Sequence, residues 1–205
     1  MNSLRSNLMA QFGNPHGPLG WLAGEIMRRR PSNRERNDRT LALLELRPGE
    51  VVLEVGFGPG LALEEAARRV APGAVVGLER SELMLGAVRR RNRAALAAGS
   101  MELLLGGTEA LAARPARFDK AFAINVCMFW ADPVAELTAL RRALKPGGLL
   151  VLALQPRKQG ATSADALAAK TRMGLALQEA GFADVRTESI AMKPVDTACA
   201  LGRAP

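Results

Sequence analysis

The stretch Val51-Val52-Leu53-Glu54-Val55-Gly56-Phe57-Gly58-Pro59-Gly60 decides the reading of this chain. Its first five residues form a short apolar run broken only by Glu54, which suits a buried strand. Three glycines at alternate positions then turn the chain, and a helix is expected from Leu61 to Val70. Glycines in such a turn accept left-handed backbone angles and let a ligand lie close to the main chain. The spacing is not the dinucleotide pattern Gly-x-Gly-x-x-Gly, and the Gly-Lys-Ser/Thr of a phosphate loop is missing. Taken alone, three glycines also satisfy a plain tight turn.

Working outward, short apolar runs alternate with helix-like segments from Glu50 onward. Strands are expected at Ala74–Leu78, Met101–Leu105, Phe118–Ile124 and Leu149–Leu154. Ser81 is placed to cap a helix running to about Ala98, where Gly99 stops it. Glu109–Ala113 reads as a short helix and Pro133–Leu144 as a longer one, ended by Lys145-Pro146-Gly147-Gly148. A helix over Ser163–Ala180 precedes two last strands, Val185–Ile190 and Thr197–Leu201. The link between those two is too short for a helical crossover, so they must pair antiparallel. The fold class expected is α/β: a doubly wound, Rossmann-like sheet, mostly parallel with one antiparallel strand near the C-terminus, and helices on both faces. Residues 1–49 read differently, with helices at Leu19–Met27 and Asn33–Leu46, and form an N-terminal helical cover of the same domain. Residues 50–205 are its body.

Composition narrows the function classes. A length of 205 residues fits one domain, and 48% apolar with 23% charged residues excludes a disordered chain. No segment approaches 18 consecutive apolar residues, so a membrane span is not expected. Met1 to Phe12 is too polar for a secretory signal, which leads to a cytoplasmic expectation. Cys127 and Cys199 fit no metal spacing and read as buried free thiols in a reducing compartment. With His16 as the only histidine, no metal site is expected.

The formal net charge is +8. It draws attention to nucleic acid, an anionic membrane or an acidic substrate, and equally to a solubilising surface. The basic residues gather as Arg28-Arg29-Arg30 with Arg34, Arg36 and Arg39, and as Arg89-Arg90-Arg91 with Arg93. Only 4% of the residues are aromatic and none is tyrosine, so platforms for stacking bases are scarce and nucleic acid is the weaker partner.

The glycine stretch resembles motif I of the class I S-adenosylmethionine-dependent methyltransferases: a hydrophobic strand, an acid, then Gly-x-Gly-x-Gly. Glu79 ends the second strand 19 positions beyond Gly60, and Leu144-Lys145-Pro146-Gly147-Gly148 also matches the family, so the resemblance covers most of Glu50 to Gly202. It implies S-adenosyl-L-methionine as cofactor. Glu54 would orient the loop and the methionine end of the cofactor, with Gly56, Gly58 and Gly60 close beside it. Glu79 would accept both ribose hydroxyls, the alternative being a solvent-exposed glutamate paired with Arg80 or a nearby arginine. Ser81 and Met84 follow, Met84 packing on adenine or simply in the core.

The family's Gly-Asp-Ala after the third strand is replaced by Gly106-Gly107-Thr108-Glu109. The adenine contact at Gly107 must then be missing, made by backbone, or taken over by Thr108 or Glu109. Asn125 stands at the C-terminal end of a strand, where open α/β sheets bind ligands, and is expected to touch cofactor or substrate. Phe129 and Trp130 line an acceptor pocket, face the sulfonium, or are core aromatics. His16, in the turn-rich stretch Gln11–Gly17 that resembles a lid, acts as a general base or acceptor-orienting group, or is a surface residue.

The function implied is methyl transfer to a small-molecule nucleophile. A phospholipid or quinone acceptor at a membrane surface is the near alternative, with RNA weaker. A non-catalytic cofactor-binding or partner-binding protein is the alternative of a different class.

Overall fold

The computed structural model describes residue 20, residues 24–26 and residues 28–205. The lid-like stretch and His16 lie outside the described residues. A seven-stranded sheet forms the middle of the molecule, with strands β1 (Val51–Val55), β2 (Ala74–Glu79), β3 (Met101–Leu105), β4 (Phe118–Ile124), β5 (Leu144–Leu154), β6 (Ala183–Ile190) and β7 (Thr197–Arg203). Their order is β3-β2-β1-β4-β5-β7-β6. All pairings from β3 to β5 are parallel, while β7 runs antiparallel to both of its neighbours. The chain reverses direction of winding between β1 and β4, and the C-terminal ends of these strands make the edge where ligands of such sheets are held.

Both faces of the sheet are covered. Helices α1 (Pro31–Leu43), α2 (Leu61–Val70) and α3 (Glu82–Arg91) bury Leu41, Leu63 and Val88 against Val52, Phe122 and Val151. Helices α5 (Pro133–Ala143) and α6 (Ser163–Glu179) bury Leu137, Leu140 and Leu177 against Leu53, Ala121 and Leu152. Alternate residues of β1, β4 and β5 thus serve opposite cores, as the period of two requires. Apolar area is lost on both sides, and this explains the nearly continuous hydrophobic strands.

Three expected boundaries shift for local reasons. The long helix after Ser81 breaks at Asn92 into α3 and the short α4 (Arg93–Ala97). The Asn92 amide there donates to Glu64 Oε1 at 2.9 Å and to the Val88 carbonyl at 3.0 Å, tying the break to α2. The Lys145–Gly148 turn is not outside the fifth strand but a bulge within it. The pairing with β4 jumps from Phe118↔Leu144 to Lys120↔Leu149, and Gly147 takes φ +77°. Finally, α1 begins at Pro31, which needs no N–H donor in the first turn. This helix packs on α2 and carries three buried polar side chains, Asn33, Arg36 and Thr40.

Candidate functional site

The glycine loop sits where β1 hands the chain to α2. Gly56, Gly58 and Gly60 have φ of +69°, +50° and +80°, so the alternate spacing reflects three left-handed residues in one turn. The reasons for glycine differ along it. A Cβ on Gly56 would come within 2.5 Å of Val126, and one on Gly60 within 2.7 Å of Val88. A Cβ on Gly58 would meet nothing within 4 Å. The main chain at Gly58 therefore borders open space, which is what a ligand lying on the loop requires.

Two acids stand behind this loop. Glu79, at the end of β2, is buried, with Oε2 accepting from the Gly58 N–H at 2.8 Å and Oε1 from the Ser81 N–H at 2.9 Å. Each oxygen keeps a further lone pair for a hydroxyl. The surface-ion-pair alternative is excluded, because Arg80 turns instead to Glu136 at 3.0 Å. Glu54 is only 3% exposed, and its Oε2 has no hydrogen-bond partner. Burial first, then the charges of Glu79 and Glu64, push its carboxyl well above the usual carboxylate range. A cation placed beside it would supply the missing partner and reverse that shift.

The next expected contacts separate. Ser81 caps α3, its Oγ accepting from the Met84 N–H at 3.4 Å. Met84 is buried against the N-terminal segment, since a Cβ on Gly24 would lie 2.6 Å from its Cε. Both residues thus have structural work at the start of α3. At the end of β3, Gly107 donates its N–H to Glu109 Oε1 at 2.7 Å. A Cβ at Gly107 would fall 2.3 Å from Glu109 Oε2 and 2.6 Å from an Arg80 nitrogen. The carboxylate of Glu109 therefore fills the space that a side chain at 107 would take. Its carboxyl is held below its ordinary value, chiefly by the bond from the Gly107 N–H. The Thr108 hydroxyl is bonded to Glu136, so of the two substitutes considered from the sequence, Glu109 is the one left with a carboxylate over this turn. Glu136, on α5, was missed by sequence reasoning: on a helix face it looks like any solvated acid.

At the end of β4, Asn125 has φ +57°. Its Oδ1 accepts from the Gln155 N–H at 2.8 Å, clipping the ends of β4 and β5 together. Trp130 is buried in the core with Leu137 and Leu154, and packing accounts for it; the neighbouring Phe129 is open to solvent. Cys127 and Cys199 are free thiols, and burial pushes them up to about 11 and about 12. Neither is a ready nucleophile or base. No cluster of metal-ligating side chains occurs among the described residues, and none of the described helices is long and apolar enough to cross a membrane.

A cavity of about 350 Å³ lies at the opposite edge of the sheet, among Glu50, Asp119, Lys120 and Lys145. Two ion pairs lie in its lining, Lys120 with Glu50 and Lys145 with Asp119. Among the described residues, the buried side-chain atoms without a hydrogen-bond partner are Arg36 Nε, Thr40 Oγ1 and Glu54 Oε2.

Known proteins match this geometry. Residues 53–152 match a family described as Methyltransferase domain. The uncharacterized methyltransferase YdaC of Bacillus subtilis is 29% identical, over 90% of this chain and 98% of that protein. A ubiquinone biosynthesis O-methyltransferase of Cereibacter sphaeroides is 36% identical over 70% of this chain, which spans only 58% of that enzyme. In fold, the chain is similar to a SAM-dependent methyltransferase from Aquifex aeolicus, with a TM-score of 0.71 at 20% identity, covering 89% of this chain and 98% of that one.

Proposed function

Because the chain belongs to the class I S-adenosylmethionine-dependent methyltransferases, we propose that it transfers a methyl group in line to a small-molecule nucleophile held at the C-terminal edge of β4 and β5. The observation that carries this reading is the buried Glu54 oxygen, without a partner among the described residues, on the strand that leads into the glycine loop, where Gly58 borders open space. Such a carboxylate calls for a cationic ligand, and S-adenosylmethionine carries both an ammonium and a sulfonium. When bound, this cofactor supplies an electrophilic methyl group on sulfur.

The chain's own residues then provide position and charge. Glu54 accepts the ammonium end, while the N–H groups and open backbone of the glycine loop keep the ligand close to the main chain. Glu79 accepts the two ribose hydroxyls with the lone pairs left after Gly58 and Ser81 are served. Glu109 takes the adenine-side contact that the family assigns to the residue at 107. Asn125 fixes the end of β4, so that its main chain and amide hold the reacting partner; an amide orients but does not remove a proton. His16 remains the proposed base for acceptors that need one. Orientation and desolvation account for most of the rate in such a site.

The short link of residues 155–162 after β5 leaves a compact edge suited to a small acceptor. A quinone or lipid acceptor is the second reading, favoured by the exposed apolar side chains Leu105, Met128 and Phe129 along the same edge. The membrane part of that reading is weakened at Arg28 and Arg29, both bonded to Glu25. The deciding experiment incubates the protein with methyl-labelled cofactor and separate panels of water-soluble amines, thiols, phenols and acids, and of quinols in detergent. Label in a water-soluble product supports the proposal. Label only in the quinols moves the acceptor to the second reading, and cofactor binding with no transfer to any panel sinks both in favour of a binding protein.

A further inference from the structure

Two arginines at the C-terminal edge of the sheet share their partners and have no counter-charge among the described residues. Arg36 on α1 is 5% exposed. It donates to Gln155 Oε1 at 3.1 Å and to Asn33 Oδ1 at 3.0 Å. Arg157 donates to the same two oxygens, at 2.9 Å and 3.1 Å. The Gln155 amide cannot be turned to relieve this crowding, because its Nε2 donates to the carbonyls of Val195 at 2.8 Å and Lys193 at 3.2 Å. Both acceptors are thus neutral oxygens, and no carboxylate bonds either guanidinium among the described residues. Arg36 Nε is buried without a partner, as is the Thr40 hydroxyl one turn further along α1.

Two like charges brought together in a partly desolvated site cost free energy unless something neutralises them. Burial, and after it the Arg157 charge, pulls Arg36 down to about 10. Burial and the charge of Arg30 lower Arg157. Both stay protonated at neutral pH. Each guanidinium has five N–H donors, and each uses two of them among the described residues. Arg157 is half-buried, giving access from solvent to the better buried Arg36.

The pair is connected to the glycine loop. Gln155 is the first residue after β5, and its N–H bonds Asn125, the first residue after β4. Val126, next in the chain, packs against Gly56. We propose that Arg36 and Arg157 form a subsite for an oxyanion, carboxylate or phosphate, carried by the methyl acceptor, a proposal that rests on the methyltransferase reading. The donors match such a group in number, planarity and charge. The acceptor is accordingly an acidic molecule whose anionic end docks on α1 and the segment after β5 while its nucleophile faces the end of β4.

The test titrates the purified protein with inorganic phosphate and with acetate, against chloride at matched ionic strength, and in parallel with S-adenosylhomocysteine. Saturable phosphate or acetate binding that weakens about tenfold or more in Arg157→Gln, with S-adenosylhomocysteine affinity unchanged, supports the subsite. Asn33→Asp provides a second route should Arg157→Gln fold poorly: it gives both guanidiniums an internal carboxylate, and is expected to raise the melting temperature and abolish anion binding. Vesicles of phosphatidylglycerol distinguish the source, because Arg157-dependent binding to them without binding of free phosphate or acetate assigns the oxyanion to a lipid headgroup. A wild-type protein that binds S-adenosylhomocysteine but no oxyanion beyond the chloride control overturns this proposal alone. So does anion binding that Arg157→Gln and Asn33→Asp leave unchanged. Failure of the folded protein to bind S-adenosylhomocysteine counts instead against the methyltransferase reading.

Discussion

At the β1–β2 end of the substrate edge, Glu54 and Glu79 lie buried with a carboxylate oxygen unpartnered and lone pairs to spare. At the β4–β5 end, Arg36 and Arg157 lie buried or half-buried with donors to spare. The acids are not paired with these arginines: one end holds acids whose charged form lacks a cation, and the other holds guanidiniums that lack an anion. Ion pairs are abundant elsewhere, as Arg114 with Glu102 and Arg68 with Glu65 illustrate. An edge that leaves buried acids lacking a cation at one end and guanidiniums lacking an anion at the other is prepared for two ligands of opposite sign. A cationic methyl donor fits the first end, and an acidic acceptor fits the second.

The largest test of the acidic end is Glu79→Ala. It removes the carboxylate that bonds the Gly58 loop and is assigned to the ribose. Charge-assisted hydrogen bonds contribute about 1.5–3 kcal/mol each, and about 1.4 kcal/mol is a factor of ten. Losing two should weaken S-adenosylmethionine binding on the order of a hundredfold, measured by calorimetry. A change below about threefold breaks the assignment of this end to the cofactor.

Glu54→Gln has two effects of opposite sign, so it sharpens the comparison further. Below the ordinary carboxylate range, folded and unfolded chains both keep the Glu54 proton. As pH rises, the unfolded chain releases it while the buried group, with its raised folded value, does not. Stability without cofactor is therefore lost as pH rises toward that folded value. The amide removes the loss, so Glu54→Gln should melt at a higher temperature than the parent at neutral pH. Cofactor affinity should fall about tenfold, by the loss of one charge-assisted contact. Binding to the parent should also release a proton and tighten as pH increases, visible as a dependence of the binding enthalpy on buffer. A variant no more stable than the parent would sink the view that Glu54 is an uncompensated acid.

Glu109→Ala tests the substitute at β3 and should weaken cofactor binding only about threefold to tenfold, because this carboxylate is partly solvated. It also vacates part of the space in which a side chain at 107 would collide, leaving the flexible Arg80 guanidinium to move aside. Gly107→Asp alone should be damaging, whereas Gly107→Asp added to Glu109→Ala should recover affinity. Absence of that rescue in titrations of the double variant means the Glu109 carboxylate is not standing in for an acid at 107.

The two ends were not equally legible in the sequence. The alternation of apolar runs with helix-like segments and the glycine turn are local signals, Glu79 follows at the end of the next strand 19 positions beyond Gly60, and the fold follows from them. The arginine pair has no such spelling. Arg36 and Arg157 are joined only by the packing of α1 onto the end of β5, and in the sequence Arg36 belongs to a run of arginines that reads as surface charge. Its burial reverses that reading, because α1 turns this one arginine inward while Arg39 stays at the surface paired with Glu35. Glu109 was legible as one of several candidates, but only the geometry of its carboxylate over Gly107 separated it from Thr108.

Asn125 joins the two ends and provides the smallest expected effect on the cofactor. Two things distinguish it: a left-handed backbone angle that favours glycine, and a side-chain oxygen that holds the Gln155 N–H. Asn125→Gly keeps the first and loses the second, costing about 1 kcal/mol of stability from the hydrogen bond. Asn125→Ala loses the same hydrogen bond but keeps a Cβ in the left-handed region, so it should be less stable than Asn125→Gly by about 1–2 kcal/mol. Denaturant unfolding of the pair therefore separates backbone from side chain. Cofactor affinity should change by less than about twofold in Asn125→Gly, since the clip lies on the acceptor side of the loop. Oxyanion binding should weaken more, because Gln155 then loses one of the bonds that fix it under the two guanidiniums. Equal losses at both ends would make Asn125 a shared support, and the edge one site rather than two with opposite charge.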